Sequence, residues 1–72
     1  MVNTQLIRSV IVKNGDTQAL LASALGLAVS ALNARIHGQV DFRRKEINLI
    51  RKRYNLSPEE TMDIFFSEAV SQ

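Results

Sequence analysis

The chain has no cysteine and no tryptophan, and only one histidine, one proline and three glycines in 72 residues. Without cysteine there can be no disulfide staple, no thiolate zinc ligand and no thiol nucleophile. The single histidine, His37, has no Asp or Glu at metal-ligand spacing, and no acid or nucleophile beside it to complete a catalytic set. No cofactor, no metal and no enzyme activity are therefore expected. Long apolar runs are also missing, and none approaches the roughly 20 residues that a membrane span needs. The N-terminus carries no basic segment followed by a long apolar stretch, as a signal peptide would. The expectation is a cytoplasmic chain with no membrane partner.

What is present is ordinary for a globular protein: 46% hydrophobic and 22% charged residues. The length suits one domain, 1–72, with a thin stability margin that a second copy would widen. The net charge of +2 conceals an uneven distribution. Between 41 and 56 stand Arg43, Arg44, Lys45, Arg51, Lys52 and Arg53 against Asp41 and Glu46. From 57 onward the charges are all acidic: Glu59, Glu60, Asp63 and Glu68. A basic centre followed by an acidic end suits one face turned to a polyanion and another kept from it.

Periodicity divides the chain into five helical segments. The first covers about Thr4 to Lys13, capped by Asn3 or Thr4, with Leu6, Ile7, Val10 and Ile11 on one face and Asn14-Gly15 as its stop. Its run Val10-Ile11-Val12 is also compatible with a strand. Asp16 or Thr17 caps a second helix from Gln18 to Leu25, ended by Gly26. A third runs from about Val29 to His37, closed by Gly38. A loop over Gln39 to Phe42 leads to a fourth, ending near Tyr54 with Ile47, Ile50 and Tyr54 inward and Leu49 beside them. Ser57-Pro58-Glu59-Glu60 then gives a hydroxyl cap, a first-turn proline and a capping-box glutamate. Met62, Phe65, Phe66, Ala69 and Val70 follow as one apolar stripe. The fold class expected is all-α.

The stretch from Thr17 to Gly38, TQALLASALGLAVSALNARIHG, holds the most specific pattern. Two helices joined by a turn of three or four residues must cross closely and steeply. Ala22 is small where the third helix would approach the second. Gly26 supplies the sharp turn, and Leu32 plugs the space between the helices. Leu21, Leu25, Leu27 and Ile36 complete the apolar set.

On Thr17-Gln18, Leu21-Ala22, Leu25-Gly26-Leu27, Leu32, Ile36 and Gly38 the chain resembles the lambda-repressor/Cro family of helix-turn-helix regulators. The likeness continues through Gly38-Gln39-Val40-Asp41-Phe42, Glu46-Ile47 and Tyr54-Asn55-Leu56-Ser57, as in small phage-type members. The resemblance implies a five-helix lambda-repressor-like domain with its helix-turn-helix at 17–38. It implies a sequence-specific transcriptional regulator that binds double-stranded operator DNA as a homodimer. In that family the outward face of the third helix enters the major groove. The matching readers are Val29, Ser30, Asn33 and Ala34, with Gln18 at the start of helix two, where the family's glutamine meets a phosphate or steadies the recognition helix.

The wheel of helix three, with Leu32 inward, places Ala28 and Ile36 beside it and Ser30, Ala34 and His37 almost opposite. No Gln, Arg or Lys is central on the outward face, so shape and methyl contacts should carry much of any discrimination. Arg35 is expected either on a phosphate or lying over the helix edge, and His37 exposed near backbone phosphate or water. Arg43, Arg44 and Lys45 begin helix four, where the dipole disfavours cations, so phosphate binding is their expected use. Met62, Ile64, Phe65 and Phe66 span too much of the last helix for one small core, which makes 57–70 a candidate dimerisation element. The alternative function is a protein-interaction module on the same fold, antirepressor- or antitoxin-like, with a regulatory protein as partner.

Overall fold

The computed structural model describes residues 1–67 and, among them, five helices and no strand. They are α1 (Thr4–Lys13), α2 (Gln18–Leu25), α3 (Val29–Ile36), α4 (Arg44–Arg53) and α5 (Pro58–Phe65). Glu68, Ala69 and Val70, and with them the end of the expected 57–70 element, lie outside the described residues.

Each helix begins where its chemistry allows. Asn3 caps α1 by accepting the Leu6 amide at 3.0 Å, and Thr17 caps α2 by accepting the Leu20 amide at 3.1 Å. Ser57 and Glu60 form a reciprocal capping box at α5, with bonds of 3.0 and 2.8 Å and Pro58 in the first turn. Ala28 precedes α3 with no side-chain cap, since a methyl group accepts nothing. Gly26 ends α2 in the left-handed conformation, φ 72°. A Cβ there would meet no neighbour within 4 Å, so the preference for glycine is conformational, not a matter of space.

Between α2 and α3 the chain turns by 103° over Gly26-Leu27-Ala28. The two helices form the tightest pair, with Leu21, Ala22 and Leu25 of α2 buried beside Leu32 and Ile36 of α3. Helix α1 packs against both α3 and α5, and α4 packs on α5. Two polar bonds pin α1: Thr4 Oγ1 donates to the Ile36 carbonyl at 2.7 Å, and the Asn3 amide donates to the Ile64 carbonyl at 2.7 Å. Ile7, Ile11, Ile50, Tyr54 and Leu56 complete the core around these contacts.

Some expectations change. Ile64 and Phe65 are core residues at 1% and 5% exposure and cannot form a dimer surface. The Phe65 ring packs edge-on against Phe42, centroids 5.2 Å apart, so the 39–42 loop closes over the side the stripe was expected to leave open. Helix α5 ends at Phe65, and Met62 and Phe66, at 57% and 51% exposure, are the members of that set left outside. Leu49 is exposed, because α4 meets the core through Ile50 and its C-terminal Tyr54. Ala28 is exposed as well, standing just before α3 where the helical wheel no longer governs direction.

The steep crossing of α2 and α3 depends on Ala22 being small and buried. Ala22→Leu should overpack it and lower stability by about 1–3 kcal/mol, read by thermal denaturation. An unchanged melting temperature would show that the crossing tolerates bulk at this position.

Candidate nucleic-acid interface

The outer face of α3 is open to solvent. Val29, Ser30 and Asn33 are exposed, Ala34 is half-buried, and His37 is exposed at the C-terminal end. The His37 Nδ1 lies 3.2 Å from the Asn33 carbonyl oxygen, so a proton on that nitrogen would donate to it. Gln18 sits half-buried in the first turn of α2. Val29, Ser30, Asn33 and His37 are thus accessible to solvent, with Ala34 partly withdrawn.

Arg35 differs from its expectation. Its guanidinium turns inward and forms an ion pair with Glu46, Nε to Oε1 at 2.8 Å, and the two residues are only 8% and 6% exposed. Nη1 of Arg35 donates further to the Ala31 carbonyl at 3.2 Å. A phosphate cannot reach a guanidinium held this way. The physical reason is position: Arg35 is three residues from the buried Leu32, so its Cα lies on the core side of α3. Removing either partner alone would strand a buried charge, at a cost of about 3–5 kcal/mol.

Glu46, one of the residues that carry the resemblance, is a structural member of this region whose pairing with Arg35 the sequence alone does not announce. The same Oε1 that meets Arg35 also accepts the Arg43 backbone amide at 2.9 Å, closing the N-terminus of α4. An arginine side chain has no acceptor, so Arg43 cannot return the bond. Its local signal is spacing: Glu46 stands three residues after Arg43, as does an N-terminal carboxylate that reaches back to a cap.

Arg43, Arg44 and Lys45 are exposed, and none of the three forms an ion pair among the described residues. Arg44 also borders a groove between α4 and α5. That groove is lined by Phe42, Ile47, Asn48, Arg51, Pro58, Thr61, Met62 and Phe66 as well. Two cations thus edge an otherwise largely apolar trough.

A second polar cluster holds the segment before α2. The Asp16 carboxylate accepts two bonds from Arg53, at 2.7 and 3.1 Å, one from the Tyr54 hydroxyl at 2.6 Å and one from the Thr17 amide at 2.9 Å. The Arg53 guanidinium first, and then the Tyr54 hydroxyl, hold the Asp16 carboxyl well below the usual carboxylate range. Burial and the adjacent Asp16 raise the Tyr54 hydroxyl above its ordinary value of 10.0. In sequence Arg53 reads as a solvated cation favoured by the helix C-terminus, and the 37-residue separation from Asp16 gives no local cue.

Among the described residues no group of three or more His, Asp or Glu is placed to hold a metal ion, and no single helix is long and apolar enough to cross a membrane. Comparison with family models, with curated proteins and with solved structures returns no match to the chain.

Because Asp16 has a lower pKa folded than unfolded, its stabilising contribution is complete above the unfolded value of about 3.9 and fades as pH falls below it. Asp16→Asn should lower the melting temperature at pH 7 and flatten its decline from about pH 4 down to about pH 2, a range in which that contribution is being lost. Equal acid slopes for the two proteins would remove Asp16 from the acid-sensitive set.

Proposed function

We propose that the chain is a DNA-binding transcriptional regulator of the helix-turn-helix kind, not an enzyme, and that it binds operator duplexes as a homodimer. The observation that carries this reading is the 103° turn between α2 and α3, which leaves the outer face of α3 exposed. A helix pair of that angle and turn length is the arrangement in which a second helix enters the major groove. The lambda-repressor/Cro resemblance gives the same order of parts.

In this reading Val29, Ser30 and Asn33 face base edges, with Ala34 at the margin. Ser and Asn hydrogen-bond bases, and the Val29 and Ala34 methyl groups suit the thymine methyl. Gln18 stands at the α2 N-terminus, where amide groups and dipole favour a phosphate. Arg43, Arg44 and Lys45 supply backbone contacts, since no ion pair among the described residues neutralises their charge. Arg35 has no part in the surface.

Duplex binding is tested by replacing Arg43, Arg44 and Lys45 together with Gln and titrating salt. Affinity for all duplexes should fall, and the log–log salt slope should drop by about 0.9 for each phosphate no longer neutralised. Wild-type protein with no affinity for random or selected duplex DNA would overturn the reading and favour the protein-interaction module instead.

The dimer proposal rests on Met62 and Phe66, exposed side by side at α5 beside the groove edged by Arg44 and Arg51. A second copy covering them would set two α3 helices about 34–36 Å apart, one duplex turn. Phe66→Asp should stay folded, because Phe66 already meets water, and should abolish the concentration-dependent dimer in sedimentation. A wild-type protein that remains monomeric on operator DNA would end the proposal.

A further inference from the structure

Helix α3 packs chiefly on α2 and α1, while α4 packs on α5. The two elements that carry the proposed DNA contacts therefore belong to different packing pairs. Seven residues, 37–43, connect them along the chain. Both helices contribute to the shared core, through Leu32 and Ile36 of α3 and Ile50 of α4. Among the described residues the polar link across space is one carboxylate oxygen: Glu46 Oε1 accepts from Arg35 Nε of α3 at 2.8 Å and from the Arg43 amide at the start of α4 at 2.9 Å.

We infer that the Arg35–Glu46 pair is a positioning device, which fixes the exposed cations Arg43, Arg44 and Lys45 relative to the outer face of α3. This role rests on the duplex-binding reading above. Stability alone is a poor reason for such a pair, since apolar side chains of similar volume often replace a buried ion pair without loss. Apolar contact is also non-directional. It would fill the space between α3 and α4 yet leave their relative rotation loosely defined. The hydrogen bonds here have fixed directions. Arg35 is tied a second time to its own helix through the Ala31 carbonyl, so movement of the α4 N-terminus must break or bend a bond rooted in α3. DNA presents base edges and phosphates at set separations, and a helix bearing readers must hold its distance from the helix bearing cations.

The experiment is the double variant Arg35→Met/Glu46→Met, compared with wild type as free protein and on duplex DNA. Two measurements are made at matched stability. Residual dipolar couplings report the relative orientation of α3 and α4 in the free protein. Binding to a duplex selected from a random library, and to random duplex, reports discrimination and salt slope. The expected result is a folded protein with a lower melting temperature, since the Arg43 amide loses its acceptor, altered or averaged α3–α4 orientation, and discrimination reduced by about tenfold or more, the scale of a single base-specific hydrogen-bonded pair. Wild-type orientation and discrimination in the double variant would overturn the inference. If the double variant does not fold, Arg35→Lys decides. It keeps a charge facing Glu46 and leaves the Arg43 amide its acceptor, but an ammonium lacks the planar fork that binds Glu46 and the Ala31 carbonyl together. Wild-type orientation and discrimination in the Arg35→Lys protein would overturn the inference equally. Failure of wild-type protein to bind any duplex, with normal α3–α4 orientation, would instead reject the DNA reading itself.

Discussion

The turn at Gly26-Leu27-Ala28 is the constraint around which the rest of the chain is arranged. A change of direction by 103° in three residues forces α2 and α3 into close contact at one end and splays them at the other. Close contact demands a small residue, and Ala22 is buried there. The angle between the helices leaves a space that demands a filler, and Leu32 is fully buried. Once those positions are set, α3 can bury only one side, through Leu32, Arg35 and Ile36. Its other side must face water. An exposed outer face is thus a geometric consequence of the turn, before any property of the side chains on it is considered.

Helices α1, α4 and α5 complete the core that such a short pair cannot provide alone. Helix α1 touches both α3 and α5, and its N-terminal residues bond to carbonyls at the end of α3 and near the end of α5. Phe42, in the segment that leaves α3, packs edge-on against Phe65. Phe42 alone thereby ties the otherwise exposed loop between α3 and α4 to the core, covering Phe65 and leaving its neighbour Phe66 outside.

Much of this is legible in the sequence because it is local. The caps at Asn3, Thr17 and Ser57, the glycine at position 26 and the boundaries of α1 and α2 follow from neighbours within four residues. The steepness of the turn follows from the spacing of Ala22, Gly26 and Leu32. Apart from the end of α5 at Phe65, the differences concern where a side chain goes in three dimensions. Periodicity places Met62, Ile64, Phe65 and Phe66 around one helix but does not say on which side the 39–42 loop will close. Arg35 reads as a surface cation by its chemistry, although its register with Leu32 places it over the core. The partner that makes its burial tolerable, Glu46, lies eleven residues away. Asp16 and Arg53 are still further apart, so nothing in either neighbourhood announces that they meet.

Those two ion pairs also change the meaning of the net charge. Nine cations against seven acids is close to balanced, and the excess alone says little about a polyanion partner. What matters is which cations remain after the fold has taken its share. Arg35 is neutralised by Glu46 and Arg53 by Asp16. Both pairings join elements: the first ties α3 to α4, and the second ties the segment before α2 to the end of α4. The charges that hold the fold are thus drawn from the two ends of α4 and from the inner side of α3. Left in solvent at the α4 N-terminus are Arg43, Arg44 and Lys45, at the end of a helix where cations are disfavoured by its dipole. Glu46 lies in the same first turn, its charge paired with Arg35. A single carboxylate thus neutralises the buried Arg35 and closes the α4 backbone beside those three exposed cations. Its removal would be felt in the core and the cap together.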